Sequence, residues 1–212
     1  RAPRPDPRTG RVSVANGTRS PRMTQIRRET RETQIVLEVT RSAHTLASRP
    51  SQPTIETGDA FLDHMLVTLS RYAGIGLSIQ ATGDLRHHLV EDVAIALGTG
   101  IRNEIPAEAE RFGWAVVPMD EALVEAALDV GGRPYYVGRL PSALYEHFLQ
   151  SLAFHMGATL HITVRRGRDR HHIVEAAVKA TGLALRQALR VGDQVFSTKG
   201  AVALTVDSDG AP

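Results

Sequence analysis

The chain has 212 residues, 42% hydrophobic and 23% charged, enough to bury a core in one large domain or two small ones. It contains no cysteine, which excludes disulfides, zinc–thiolate centres and cysteine nucleophiles. No apolar run approaches the roughly 18 residues of a membrane span and no signal-peptide pattern is visible, so no membrane association and a cytoplasmic address are expected.

Residues 1–22 hold six Arg against one Asp, a net of +5; the whole chain carries +2, so residues 23–212 carry −3. This basic stretch is rich in Pro, Gly, Ser and Arg and has neither aromatics nor a helical period. It is expected to be a disordered extension ahead of a start at Met23, rather than an arm for nucleic acid. Thr33–Thr40 then alternates apolar and polar residues, the period of a strand. Residues 60–72 place Phe61, Met65, Leu66 and Leu69 on one helical face. Residues 75–81 alternate again, and 87–102 return to helical spacing with Val90, Val93, Ala94 and Leu97 inward. Across 122–130, Val124, Ala126, Leu128 and Val130 face one way and Glu125 and Asp129 the other. With Gly131-Gly132-Arg133-Pro134 behind it, that run reads as a strand despite its helix formers. A helix over 142–156, a strand over 158–165 and a helix over 171–190 complete the pattern.

The pattern occurs twice because the chain is duplicated. Arg86-His87-His88-Leu89-Val90-Glu91 returns 84 positions later as Arg170-His171-His172-Ile173-Val174-Glu175. Upstream of each phrase stand an acid, a His, a bulky apolar residue and a Leu: Asp63-His64-Met65-Leu66 and Glu146-His147-Phe148-Leu149. Each half is expected to be a small sheet with two helices on one face, an α+β arrangement. The halves are placed at 23–110 and 111–204, with a C-terminal tail at 205–212.

The repeated residues suit metal binding. On a helix, positions i, i+3 and i+4 share a face, so each His-His doublet offers two imidazoles about 100° apart with a carboxylate near both. With His64 and His147 the set is six His and two Glu, enough for two cations. One such doublet alone is more often a solvated helix face. Here the apolar neighbours differ between copies (Met65 against Phe148, Val67 against Gln150) while His and Glu do not. The all-nitrogen-and-oxygen ligand set suits Mn, Fe, Co, Ni or Zn and does not choose among them. Ser197-Thr198-Lys199-Gly200 is a candidate phosphate cradle that Arg111 and Arg133 could join; taken alone, the run reads more readily as an ordinary loop and each Arg as a surface ion-pair partner.

The segments "FLDHML", "HHLVEDVAIALG", "RFG", "PMDEALVEAALDVGGRPY", "EHF", "HHIVEA" and "STKG", in this order, resemble imidazoleglycerol-phosphate dehydratase over roughly residues 28 to 204. The resemblance implies a tandem duplication of halves like ribosomal protein S5 domain 2, assembled as 24-subunit shells with active sites between subunits. It implies dehydration of imidazole glycerol phosphate, a small phosphorylated imidazole, to imidazole acetol phosphate in histidine biosynthesis. Two Mn2+ per active site are implied, other divalent metals being possible. The metals would hold the ring as imidazolate, the hydroxyl would leave to give a diazafulvene, and a carboxylate would then remove the acidified proton.

By the same resemblance, one metal takes His64, His88, Glu91 and His172, and the other takes His87, His147, His171 and Glu175. Ser197, Thr198, Lys199, Arg111 and Arg133 bind phosphate. Glu32 is the substrate-contacting acid/base, with Glu91 and Glu175 also counted in the catalytic set.

The chain departs from the family pattern at four places. The lead Gly83-Asp84-Leu85-Arg86 is a few residues short and has Arg where the family has Asp; Leu89 replaces Thr, Tyr72 replaces His, and the loop Asn103–Glu110 is short. If that Asp relays protons in the family, this chain is expected either to be slower or to use Asp84 or Glu32 instead. Two rival classes remain: a non-catalytic metal-binding shell and a two-metal phosphohydrolase. The second would lean on Asp ligands, and none stands in the clusters.

Overall fold

A computed structural model describes residues 22–41 and 53–192. The first half contains β1 (Arg22–Glu29), β2 (Thr33–Arg41), β3 (Thr54–Glu56), α1 (Ala60–Ala73), β4 (Ile75–Gly83) and α2 (Arg86–Glu104). The second contains β5 (Phe112–Met119), β6 (Ala122–Asp129), β7 (Tyr135–Val137), α3 (Ala143–Met156), β8 (Thr159–Arg166) and α4 (Arg170–Ala188). The two sheets have the same order, β1-β2-β4-β3 and β5-β6-β8-β7, antiparallel except for the short parallel pairs β3–β4 and β7–β8. The expected duplication is thus present in the fold.

All eight elements expected from periodicity are found, with ends shifted by one or two residues. Periodicity did not reveal β1, β3, β5 and β7. Strands β3 and β7 have three residues each, too few to show a period. Strand β1 is an edge strand with few apolar residues. Strand β5 is apolar on both faces: Ala115 and Val117 are buried, while Phe112, Trp114 and Val116 are exposed.

The helices of the two halves interlock. Helix α1 packs on α4 and α2 on α3, while α2 also lies on β1 and β2 and α4 on β5 and β6. Leu62, Met65, Leu66, Leu69, Val90, Val93 and Leu97 are fully buried together with Phe148, Leu149, Leu152 and Leu185, in one core shared by both halves. Each such side chain contributes about 1.5–3 kcal/mol on burial.

Two equivalent glycines allow the crossings to be close. A Cβ on Gly98 of α2 would lie 2.7 Å from the Leu152 carbonyl oxygen in α3, and one on Gly182 of α4 would lie 2.7 Å from Tyr72 Cβ in α1. Glycine normally weakens a helix interior, and here it is the residue that lets the helices meet.

This cross-half packing positions the site. It sets the start of α4 beside α1, and the start of α2 beside α3.

Candidate metal centre and active site

Six of the eight expected ligands converge in two groups of three. His64 of α1 joins His171 and Glu175 of α4; His147 of α3 joins His87 and Glu91 of α2. In each group the ligating atoms lie within 4.8 Å of one another. His64 Nε2 stands 3.2 Å and His171 Nε2 2.9 Å from Glu175 Oε2. In the other group His147 Nε2 stands 3.2 Å from Glu91 Oε1 and His87 Nε2 3.5 Å from Glu91 Oε2. The His87 and His147 rings stack with centroids 5.4 Å apart.

Each group draws on both halves, as expected, but the membership differs from the expected partition. Glu175 belongs with His64, and Glu91 with His87 and His147. The reason is helical geometry. Residues i and i+4 lie on one face, so the first His of each doublet shares a spot with its own Glu, whereas the second is turned by about 100°. His88 and His172 accordingly point elsewhere. His88 Nδ1 lies 2.8 Å from Asp84 Oδ1 and 3.7 Å from Glu32 Oε2. His172 Nδ1 lies 2.8 Å from Glu121 Oε2, and its Nε2 lies 3.4 Å from Asp120 Oδ2. These carboxylates push both imidazoles above their ordinary pKa, Asp84 acting on His88 and Glu121 on His172.

The donor chemistry fits a divalent cation. Both groups offer imidazole and carboxylate with no sulfur. His147 Nε2 is buried and makes no hydrogen bond among the described residues, although Glu91 lies beside it. A buried ring nitrogen left in this way is costly unless an electrophile completes it. Glu175, whose side chain is only 8% exposed, is the carboxylate of the other group. Burial pushes its carboxyl up, but the bonds from Lys179, His64 and His171 together outweigh burial and hold it below the usual range. Lys179 Nζ takes the other oxygen, Glu175 Oε1, at 3.0 Å. It also lies 5.8 Å from the centre of the Tyr72 ring, at the position where the family pattern has His.

The substrate-contact candidates fall in different places. Glu32 sits in the β1–β2 turn, half exposed, on a groove of ≈ 260 Å³ lined also by Thr30, Gln34, Thr82 and Asp84. Arg111 lies at the opposite end of the second sheet, bonded through Nε and a terminal nitrogen to Asp129 at 2.6 and 3.0 Å. Arg133 is exposed nearby, its carbonyl accepting from Thr159 Oγ1 at 2.8 Å. Along β6, Asp129 is about 23 Å from Ala122, where His172 and Glu121 lie. One chain therefore does not bring Arg111 and Arg133 to its own metal groups. Ser197, Thr198 and Lys199 lie outside the described residues.

Three site residues escaped the sequence reading. Glu121 follows Asp120 in the β5–β6 turn, immediately before β6, just as Glu32 immediately precedes β2. Aligning the two halves on their second strands would have paired them. Asp120 adjoins Glu121, and its φ of 47° is visible only in coordinates. Lys179 is four residues beyond Glu175, the spacing of a helical ion pair.

Known proteins resemble this chain in sequence and in fold. The family model for imidazoleglycerol-phosphate dehydratase matches residues 57–185. The protein of that name from Methanoculleus marisnigri is 45% identical over 200 residues, covering 85% of this chain and 100% of that protein. The one from Methanosphaerula palustris is 42% identical over 193 residues, covering 82% and 96%. Among solved structures, the Pyrococcus furiosus enzyme superimposes with a TM-score of 0.73 at 40% identity, covering 84% of this chain and 100% of that one. The Staphylococcus aureus enzyme gives a TM-score of 0.70 at 30% identity, covering 81% and 100%. With the model spanning most of the fold and the duplicated His/Glu groups inside it, the chain belongs to the imidazoleglycerol-phosphate dehydratase family.

Proposed function

We propose that this chain is the hydro-lyase that converts imidazole glycerol phosphate to imidazole acetol phosphate in histidine biosynthesis. The observation that carries the reading is the pair of His/His/Glu groups, each spanning both halves, with His147 Nε2 buried and without a hydrogen bond among the described residues. Each group would hold one divalent cation, manganese being the proposed ion, and His88 and His172 of a neighbouring copy would supply the fourth ligands. When bound, the two cations supply Lewis acidity at the two nitrogens of the substrate ring.

The chain's own residues do the rest. Lys179 and the packing around Glu175 keep that carboxylate ionised and fixed. Glu32, on the rim beside His88, is the proposed base for the carbon-bound proton of the substrate. Arg111 and Arg133, with Ser197, Thr198 and Lys199, are the proposed phosphate clamp, which fixes the reacting carbon from a distance. Because Arg111 and Arg133 stand at the far end of their sheet, the clamp would serve the centre of another copy. This supports a homo-oligomer with sites between subunits, proposed to be the 24-subunit shell, working in the cytoplasm.

The test is turnover. Mn2+-loaded protein given imidazole glycerol phosphate is expected to form the enol or ketone product, seen by absorbance. Release of inorganic phosphate instead would mean a two-metal phosphohydrolase. Tight metal binding without turnover would mean a structural shell.

A further inference from the structure

The second histidine of each doublet is held in the same way in both halves, by carboxylates from different elements. In the second half Glu121, from the β5–β6 turn, takes His172 Nδ1 through Oε2. Its Oε1 accepts the backbone N–H of Arg168 at 3.0 Å and of Asp169 at 2.7 Å, the residues that lead into α4. In the first half the equivalent turn residue, Glu32, does not bond the imidazole: its Oε2 stays 3.7 Å from His88 Nδ1. Asp84 has that place. Its Oδ1 lies 2.8 Å from His88 Nδ1 and accepts the backbone N–H of Leu85 at 2.7 Å, in the lead into α2. Each carboxylate is thus anchored on the backbone ahead of its helix and presents one oxygen to one ring nitrogen. Asp84 lies in the shortened lead, one helical turn before His88.

A carboxylate on Nδ1 fixes the proton there, sets the ring plane and leaves the lone pair on Nε2 for a cation. We propose that Asp84 and Glu121 are paired positioning residues that orient His88 and His172 as Nε2 ligands. In this chain Asp84 carries out in the first half what Glu121 carries out in the second. The substitution frees Glu32, the duplicate of Glu121, for contact with substrate. At His172 the exposed Asp120 also lies near Nε2 and would be displaced by the cation. The proposal rests on the reading of His88 and His172 as metal ligands.

The test measures Mn2+ binding to the full chain by equilibrium dialysis with elemental analysis, for Asp84→Asn, Glu121→Gln, His88→Ala and His172→Ala. Circular dichroism checks the fold of each variant. Asp84→Asn and Glu121→Gln are expected to bind Mn2+ about 10- to 100-fold more weakly. Their kcat is expected to return at saturating Mn2+ with KM unchanged, and Asp84→Glu to recover part of the affinity. Wild-type affinity in Asp84→Asn and Glu121→Gln, alongside metal loss in both His→Ala variants, would overturn the positioning role and leave the ligand reading intact. So would a folded variant whose kcat stays low at saturating Mn2+. Wild-type affinity in both His→Ala variants would overturn the ligand reading and this proposal together. Should Glu121→Gln fail to fold, the half-exposed Asp84 gives the deciding arm.

Discussion

Glu32 and Glu121 occupy the same position in the two halves, each the last residue before the second strand, yet only Glu121 is tied down. Glu121 accepts from two backbone N–H groups and the His172 ring. The N–H of Asp169, then His172 and the N–H of Arg168, hold its carboxyl down at about 2. Glu32 is 53% exposed and lies on a groove. Duplication produced two carboxylates, and the structure leaves one of them available for chemistry.

Replacing the available one tests the assignment. Glu32→Gln is expected to lower kcat about 100-fold or more while melting temperature and metal content stay near wild type. Steady-state kinetics with elemental analysis checks this. A variant of normal activity would remove Glu32 from the proton-transfer role.

Glu175 is expected to matter for both metal and stability. Its Oε2 is approached by His64 and His171, and its Oε1 by a Lys179 side chain that is only 18% exposed. Glu175→Ala should reduce bound metal and leave the Lys179 cation poorly paired. For a pair this buried, with some solvent screening at the lysine, the metal-free protein is expected to lose about 2 kcal/mol. Urea unfolding of wild type and variant after chelation measures the difference.

Metal removal should act on stability as well as activity. A cation that binds only the folded state raises stability by about 2.7 kcal/mol at 100 times its dissociation constant. Chelation is therefore expected to abolish turnover and lower the melting temperature, and Mn2+ to restore both. Differential scanning calorimetry across a Mn2+ series reads the shift.

The helix crossing at Gly98 has no room for a side chain. Gly98→Val would drive a Cβ to 2.7 Å from a backbone oxygen of α3. The expected cost is about 1–3 kcal/mol or more, since backbone cannot rotate aside. Because α2 and α3 carry His87, Glu91 and His147, metal affinity should fall as well. Calorimetry with metal titration would expose either effect alone.

Asp59 gives a pH-dependent prediction. It caps α1, accepting the N–H groups of Phe61 and Leu62 at 3.0 and 2.9 Å, and pairs with Arg86 of α2. Burial pushes its carboxyl up, but Arg86 and the two backbone N–H groups together bring it below the usual value. A lowered folded-state pKa contributes stability above the unfolded carboxylate pKa, lost as pH falls through the folded value. Asp59→Ala is thus expected to cost about 1 kcal/mol near neutrality. The gap from wild type should close in strongly acidic buffer, as thermal melts across pH would show.

Much of this protein was legible before its structure. The alternation of Thr33–Thr40 and Ala122–Val130 and the helical spacing around Met65 and Val93 reflect periods imposed by backbone geometry, so periodicity placed those elements, helped at 122–130 by the Gly131-Gly132-Arg133-Pro134 that follows. The repeated His-His-x-x-Glu phrase identified four of the six residues that form the two groups, and the repeated acid-His segment upstream of it identified the other two, His64 and His147. Strands of three residues and an edge strand with little apolar character left no such mark.

By itself, the sequence determined the duplication, the candidate metal-binding side chains and the family pattern, because these depend on residue type and spacing along one chain. Only the tertiary structure decided which histidine meets which carboxylate, and that Glu121 is locked while Glu32 is open. Those pairings depend on α1 crossing α4 and α2 crossing α3, contacts between halves far apart in sequence, and on the turn of about 100° that sends neighbouring histidines in different directions.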